Sequence, residues 1–305
     1  MNTNTKAYLA LFFICIVWGT TYLVIRIAVL HCPSFLFAGI RQVLSGIIIM
    51  TSGFLMSKRI DLSKSNLMHQ ALVGFLLITV GNGLVSWGEM HIPSGVAALI
   101  CSLMPIVSVL INLVISKKEK INLQISIGMM LGFLGVALIF RNDIGNISNK
   151  AYLLGAIATL VATSSWSLGS IINKKKAAHI NPLFNSGLQL FFGGSMLFVC
   201  SPFIDDYHNL HFFQKEVIGS LAYLILFGSV LAYSAYMYAL KELPVGVVAL
   251  YAYVNPLVAV VLGYFILNEP LNWFTVIAFI TIVTGVYIVN YGYKLQHQKA
   301  ISSSN

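Results

Sequence analysis

The chain has 305 residues, of which 58% are hydrophobic and only 9% are charged. Soluble domains carry about 25% charged residues, so this composition excludes a soluble domain that covers its core with charge. The formal net charge is +9, but the basic residues lie in short links between apolar runs, which argues against a nucleic-acid partner. The composition therefore indicates a polytopic membrane protein embedded in the lipid bilayer.

Ten apolar runs follow one another along the chain, each with the roughly 20 residues needed to cross a hydrocarbon core. They cover residues 7–30, 33–56, 68–89, 94–116, 121–141, 151–172, 181–203, 215–239, 245–267 and 272–293. Several links are too short to fold alone, so neighbouring helices are expected to be antiparallel. The predicted fold class is an all-α membrane protein with ten transmembrane helices, the first of which is an uncleaved span.

Basic residues give the orientation. If the N-terminus is cytoplasmic, thirteen of the eighteen Lys and Arg residues lie on the cytoplasmic side and three outside, while Arg26 and Arg41 lie within spans. Cytoplasmic loops of membrane proteins carry an excess of Lys and Arg. The pattern predicts that both termini face the cytoplasm, with the plasma membrane as the expected location.

One stretch of the chain occurs twice in similar form. Residues 93–105 and 244–256 share Pro, Gly, Val, Ala, Leu and a closing Pro at a shift of 151 residues. The chain then divides into five spans in 1–147 and five in 148–305. Because five is an odd number, the second unit must enter the membrane from the opposite side. The sequence predicts two inverted five-helix repeats in one membrane domain, an arrangement common in secondary transporters.

Several short motifs carry a resemblance to a known family. They are Trp18-Gly19-Thr20-Thr21-Tyr22, Ile25-Arg26, Ala38-Gly39-Ile40-Arg41, Val80-Gly81-Asn82-Gly83, Pro93-Ser94-Gly95, Phe227-Gly228-Ser229, Ala235-Tyr236-Met237-Tyr238 and Tyr251-Ala252-Tyr253-Val254-Asn255-Pro256. In this order, over residues 7–293, the chain resembles the EamA-type family of the drug/metabolite transporter superfamily. The resemblance implies ten helices, inverted repeats and export or exchange of small metabolites by alternating access.

The chain departs from this family at one motif. Families of this type often have an acidic residue followed by proline after the fourth and ninth spans. Asn268-Glu269-Pro270 fits this pattern after the ninth span, whereas Lys118-Glu119-Lys120 fits only in part after the fourth. A shared role for the two glutamates is therefore in doubt, and the plainer interpretation is a pair of solvated loop charges.

Ionisable residues within spans are the first candidates for a substrate site, because an Arg or Asp at a helix centre costs about 2.5–3.5 kcal/mol on insertion scales. Arg41 lies deepest, while Arg26 and Glu89 lie near the outer ends of the first and third spans. We expect the three to meet, with Arg26 paired to Glu89 and Arg41 left to bind an anionic group of the substrate. The alternatives are snorkelling of Arg26 and Glu89 to the interface, and helix anchoring by Arg41.

Aromatic and amide side chains within spans are the second class of candidates. Together with the three charged residues, the predicted substrate-binding set contains Trp18, Tyr22, Asn82, Trp166, Tyr236, Tyr253 and Asn255. Trp18 and Trp166 lie in the middle of their spans, where an indole N–H needs a partner or a wet cavity. We expect all of these except Tyr22 to line one central space. Ordinary packing between helices is the alternative for each aromatic side chain.

No motif predicts catalysis or a cofactor. The sequence has no Gly-rich phosphate loop, HExxH pair or nucleophile elbow. Asp205, Asp206, His208 and His211 match no metal template and are interpreted as a solvated loop. The four cysteines form no CxxC pair and are interpreted as apolar core residues. Catalytic residues, a resident metal and a cofactor are therefore not predicted, and neither is enzyme activity.

The function predicted is a secondary transporter, expected to export small metabolites such as amino acids or organic anions by alternating access through a cavity between the repeats. The oligomeric state is left open. One alternative is a membrane-embedded enzyme acting on a lipid-linked substrate, which would need paired intramembrane carboxylates or a cluster of metal ligands. Another is a channel, which would not need inverted halves.

Overall fold

A computed structural model describes residues 3–57, 59–116, 121–139, 149–175, 181–208, 210–267 and 273–302. Every regular element within these ranges is a helix. Seven helices are long and apolar enough to cross a membrane: Thr5–Val29, Ser34–Met56, Lys64–His91, Lys150–Lys175, Pro182–Ile204, Lys215–Glu242 and Val276–Gln296. Shorter apolar helices cover Val96–Ile111, Leu123–Gly135 and Val245–Val258. The prediction of an all-helical membrane protein is confirmed.

The helices coincide in position with the predicted apolar runs, and several extend beyond them because polar residues continue the helical ladder at its ends. In chain order they are α1 Thr3–Val29, α2 Ser34–Met56, α3 Lys64–Gly74, π1 Phe75–Asn82, α4 Gly83–His91, α5 Ser94–Cys101, α6 Met104–Ser116, α7 Leu123–Ile139, α8 Lys150–Lys175, α9 Pro182–Ile204, α10 Lys215–Tyr223, π2 Leu224–Leu231, α11 Ala232–Glu242, α12 Val245–Val248, α13 Tyr251–Leu267 and α14 Trp273–Ser302.

Two segments are π-helical, meaning that each N–H bonds to the carbonyl five residues earlier. π1 joins α3 to α4 and π2 joins α10 to α11, so each forms part of one continuous helix of 28 residues. Apolar periodicity does not distinguish a π turn from an α turn, so neither segment is predictable from the apolar runs. Such segments occur frequently at functional sites, and both of these reach the cavity described below.

The two proline-flanked stretches are broken helices rather than the single continuous spans that we predicted. α5 begins directly after Pro93 and ends at Cys101, and α6 begins at Met104. Proline lacks an N–H, and its ring clashes with the carbonyl four residues earlier, so Pro105 cannot continue an α-helix through Cys101 without distortion. The second stretch is also divided, between α12 and α13, but the division lies closer to Pro244, and Pro256 lies inside α13.

Glycines bring two pairs of helices into backbone contact. α2 packs along α9, and a Cβ atom on Gly46 would lie 2.6 Å from the backbone nitrogen of Phe191. α7 packs along α14, and a Cβ atom on Gly128 would lie 2.7 Å from the carbonyl oxygen of Gly285. Small residues at such crossings let helices in a membrane gain close van der Waals contact.

α2 and α9 run in opposite directions, and the contacts at their ends mark two faces of the bundle. On the face where α1 begins, called the amino-terminal face, the Asn181 amide donates to the Gly53 carbonyl at 2.8 Å and joins α2 to α9. On the opposite face Asp205 accepts hydrogen bonds from the backbone N–H groups of Phe35 at 3.1 Å and Leu36 at 2.8 Å. Asp205 therefore caps the start of α2 and is structural, which corrects its interpretation as a solvated loop residue.

The neighbouring residues of the 205–211 loop remain solvated. His208 donates a backbone hydrogen bond to the exposed Asp206 carboxylate at 2.9 Å and places a ring nitrogen 2.5 Å from it. These hydrogen bonds hold the pKa of the Asp206 carboxyl below its usual range. Across the described ranges, no three His, Cys, Asp or Glu side chains come together in a group that could hold a metal ion.

Candidate substrate-binding cavity

A central cavity lies between helices of both halves of the chain, and its empty volume, which includes space open to solvent, is about 700 Å³. Six of the ten predicted site residues line it: Trp18, Tyr22, Arg41, Asn82, Trp166 and Asn255. They come from α1, α2, π1, α8 and α13, which are far apart in the sequence. The cavity lies towards the face opposite the amino-terminal face, because its walls include Val85 on α4 and Cys101 on α5, both close to that end.

Tyr236 and Tyr253 do not line the cavity, so the expectation that both would do so is wrong. Tyr236 lies behind the wall, where its hydroxyl accepts a hydrogen bond from the Trp166 indole at 3.0 Å. Tyr253 is fully buried against α7 and donates to the Met129 carbonyl at 3.0 Å. An α-helix turns about 100° per residue, so Tyr253 points away from the cavity when Tyr251 and Asn255 point into it.

Arg41 is the charged group of the cavity wall. Its side chain is only 4% exposed, so it does not extend to the lipid interface. Nη2 donates to the Asn82 side-chain oxygen at 2.6 Å, whereas Nε has no hydrogen-bond partner in the described part of the chain. A buried cation with a free donor is costly unless an acceptor reaches it, which makes this group the strongest candidate for ligand binding.

Arg26 and Glu89 lie near Arg41 but outside the cavity lining. Arg26 Nη1 donates to the Ile92 carbonyl at 3.2 Å, at the end of α4. Glu89 is 0% exposed, and neither carboxyl oxygen has a hydrogen-bond partner among the described residues. The predicted Arg26–Glu89 ion pair is therefore not formed, although both arginines act electrostatically on Glu89.

An aromatic layer separates the cavity from the amino-terminal face. The Trp18 and Trp166 rings meet edge to face, with centroids 5.6 Å apart, and the Tyr236 ring lies 5.1 Å from that of Trp18. The Trp18 indole donates to the Gly228 carbonyl at 2.9 Å. Both mid-span indoles therefore have hydrogen-bond partners, as we predicted, and the edge-to-face geometry stabilises the layer.

A second cavity lies beyond this layer, on the amino-terminal side, and its empty volume, which includes space open to solvent, is about 420 Å³. Four amide side chains contribute to its lining, those of Gln70, Asn173, Asn185 and Gln189. Tyr233 lines the central cavity, and its hydroxyl donates to Gln189 at 2.7 Å, while Gln189 donates to Gln70 at 2.6 Å. A chain of neutral hydrogen bonds thus connects the two cavities.

Sequence reasoning missed several residues of this site. Gln42 lines the central cavity with a side-chain oxygen that has no partner in the described ranges, and Gln189 links the two cavities. A signal for both was present, because buried amides within apolar spans need partners just as Asn82 does. The acidic-proline motif at Asn268-Glu269-Pro270 and its partial match at Lys118-Glu119-Lys120 lie outside the described residues.

Fold and cavities together define a polytopic membrane protein with two polar cavities inside a helical bundle. The model of the EamA-like transporter family matches the chain twice, over residues 5–141 and 153–291. The chain therefore belongs to the EamA-like transporter family, as its motifs predicted. This membership makes it a membrane transporter.

Individual relatives agree with the family. The chain is 32% identical over 286 residues to the "Uncharacterized inner membrane transporter YedA" of Escherichia coli (strain K12), covering 93% of this chain and 90% of that protein. It is 26% identical over 299 residues to the "Uncharacterized transporter YvbV" of Bacillus subtilis (strain 168), covering 98% and 96%. A crystal structure with 16% identity and a TM-score of 0.77 covers 95% of this chain and 99% of that chain, so the two share a fold.

Proposed function

We propose that the protein is a secondary transporter that exports small metabolites carrying an anionic group, such as amino acids or organic acids, by alternating access in the cytoplasmic membrane. The observation that carries this proposal is the buried Arg41 guanidinium at the cavity wall, with Nε unpartnered among the described residues. A substrate carboxylate there would accept a charge-assisted hydrogen bond. The free Gln42 oxygen in the same cavity would accept from an ammonium or hydroxyl group of the substrate.

The proposed architecture has ten spans, in two inverted repeats of five within 1–147 and 148–305. The seven long helices and the three shorter apolar helices would together supply these spans. A shift of 148 residues places Trp18 on Trp166 and aligns the first two helices of one half with the first two of the other. The two continuous helices Lys64–His91 and Lys215–Glu242 align at a shift of 151.

Contacts that recur when the halves are exchanged support the repeat. Arg41 bonds to Asn82 at 2.6 Å, and their equivalents Gln189 and Tyr233 bond to each other at 2.7 Å. A second pair of contacts is formed by basic side chains: Arg26 donates to the Ile92 carbonyl at 3.2 Å, and its equivalent Lys174 donates to the Leu243 carbonyl at 2.7 Å. One unit folded twice in opposite orientations is expected to repeat its contacts in this way.

The differences between the halves support alternating access. Lys174 donates to the carbonyls of Leu240, Lys241 and Leu243 at the end of α11, whereas among the described residues Arg26 donates only to the Ile92 carbonyl at the end of α4. The amino-terminal face is therefore held more tightly than the face on which the central cavity lies. In the proposed cycle the two repeats exchange these conformations, which moves the opening from one face to the other.

Reporter fusions test the proposed orientation. Fusions after Lys176 and at Asn305 are both expected to report a cytoplasmic location, because the basic residues concentrate on that side. A fusion after Lys150, between the fifth and sixth proposed spans, is expected to report the outside. An outside signal at Lys176 or Asn305 would contradict the ten-span topology.

Metabolite profiling tests the proposed function. Media of cells with and without the protein are compared, and compounds that accumulate only with it are then tested for counterflow in liposomes that contain the purified protein. Carboxylates or phosphates are expected to dominate the accumulated set, because Arg41 selects an anion. A set made only of compounds without a carboxylate or phosphate group would contradict the proposal.

A further inference from the structure

Glu89 is a buried carboxyl group within α4. Its side chain is 0% exposed, and both of its oxygens lack hydrogen-bond partners in the described part of the chain. Asp205 provides a contrast, because its two oxygens accept from Ser34, Phe35, Leu36 and Ser201. A carboxylate that serves to anchor helices is satisfied in that manner. Glu89 is not, so its occurrence in an apolar span needs another explanation.

Several titratable or charged groups surround Glu89. Arg26 and Tyr22 approach from α1, Arg41 from α2 and Cys101 from α5, and each interacts electrostatically with the carboxyl group. His91 follows two residues later on α4 itself and interacts with Arg26. Near the same end of α4, α8 contributes the hydroxyl side chains of Tyr152 and Thr159. Tyr22, Cys101 and Arg41 line the central cavity, so Glu89 lies directly behind its wall.

We infer that Glu89 is a proton-binding site whose occupancy is linked to anion binding at Arg41. An ionised Glu89 is negatively charged, as a substrate anion is, and both are attracted to the Arg41 guanidinium. The two therefore compete for it. A proton that binds one carboxylate oxygen, forming an O–H bond, removes this competition. Linkage is reciprocal, so the bound anion strengthens proton binding by the same factor.

The linkage between Glu89 and Arg41 determines the net charge that is transported, if the protein has the proposed function. A monoanion and a proton that bind together add no net charge. The loaded transporter therefore changes conformation with the same net charge as the empty one. The proton returns to water when the O–H bond breaks on the other face. Export would then proceed down the outward gradient of the anion and carry one proton with it.

Benzoate binding to the purified protein tests the linkage. The probe fits an aromatic cavity with one cation, and Trp18 and Trp166 in the lining provide a fluorescence signal. The benzoate affinity of the unmodified protein is expected to rise as the pH falls, by up to about tenfold for each pH unit, over the range in which Glu89 is ionised without benzoate and protonated with it. Glu89→Gln is expected to bind with the tighter, acid-limit affinity at every pH, because Gln resembles the protonated carboxyl.

Control variants separate Glu89 from its neighbours. His91→Gln and Glu216→Gln, the latter an exposed carboxyl on the same face, are both expected to keep the pH dependence. If Glu89→Gln does not fold, Glu89→Leu takes its place, since Leu240 occupies the equivalent position of the other half. A flat profile in the unmodified protein, or a slope that persists without Glu89, would overturn the inference.

An infrared titration tests the proton site without any anion. The unmodified protein is expected to gain a protonated-carboxyl C=O band on acidification, and this band should be missing in Glu89→Gln. Identical spectra would overturn the inference whatever benzoate does. Absence of benzoate binding at any pH, with the Glu89 band present, would instead count against both the linkage and the proposed anion site at Arg41.

Discussion

Arg41→Gln is expected to abolish transport while leaving folded protein in the membrane. The substitution removes the only cationic side chain in the described lining of the central cavity. Loss of one partner of a buried charge pair costs about 2–5 kcal/mol, which corresponds to at least about a 30-fold loss of anion affinity. The fold is expected to tolerate Gln, because Gln189 occupies the equivalent position of α9 and hydrogen-bonds to Tyr233.

Transport and folding are measured separately for this variant. Counterflow of the identified anion in liposomes reports transport, and size-exclusion chromatography with thermal unfolding reports the fold. Arg59→Gln, which removes an exposed arginine outside the cavity, is the matched control and is expected to transport normally. Normal transport by Arg41→Gln would contradict the anion-binding role, and a variant that fails to fold would indicate that Arg41 anchors helices instead.

Gly46→Ala is expected to destabilise the protein strongly. The added Cβ would lie 2.6 Å from the backbone nitrogen of Phe191 and 2.8 Å from the carbonyl oxygen of Gly187. Backbone atoms cannot rotate away as side-chain ends do, so α2 and α9 must move apart. Overpacking of this kind costs about 1–3 kcal/mol, and the contact extends along two long helices. The midpoint of thermal unfolding in detergent should fall accordingly.

Gly219→Ala provides a control that is not expected to lower the stability. Gly219 lies within α10, and a Cβ there would meet no atom within 4 Å. Ala is a better helix former than Gly by up to about 1 kcal/mol, so this variant should unfold at the same or a higher temperature. Equal stability of Gly46→Ala and the unmodified protein would contradict the close packing of α2 on α9.

The membrane class and the approximate helix positions could be predicted from the sequence because both follow from the length of apolar runs. Broken helices and π turns could not, because each depends on local backbone geometry that leaves apolar composition unchanged. Pro105 is informative in this respect. Its conflict with the Cys101 carbonyl was predictable from the chain, but whether the helix would kink or divide depends on its neighbours.

The candidate site was predictable in part. A buried charge or a mid-span indole is costly wherever it lies, so Arg41, Trp18 and Trp166 could be selected without a structure, and all three line the cavity. Tyr253 was misplaced because its motif does not reveal which face of α13 turns inwards. The Arg26–Glu89 pair was inferred from depth alone, whereas pairing also depends on side-chain direction.

Cysteine accessibility on both faces tests the central claim, that the two cavities open alternately. Val85→Cys in the central cavity and Ser186→Cys in the second cavity are placed in a background without the four native cysteines. Lys174→Met then removes the ammonium that holds three carbonyls at the end of α11, and Lys175→Met is the control. Labelling at Ser186→Cys should rise while labelling at Val85→Cys falls. A rise at both positions together, or no change at either, would contradict alternating access.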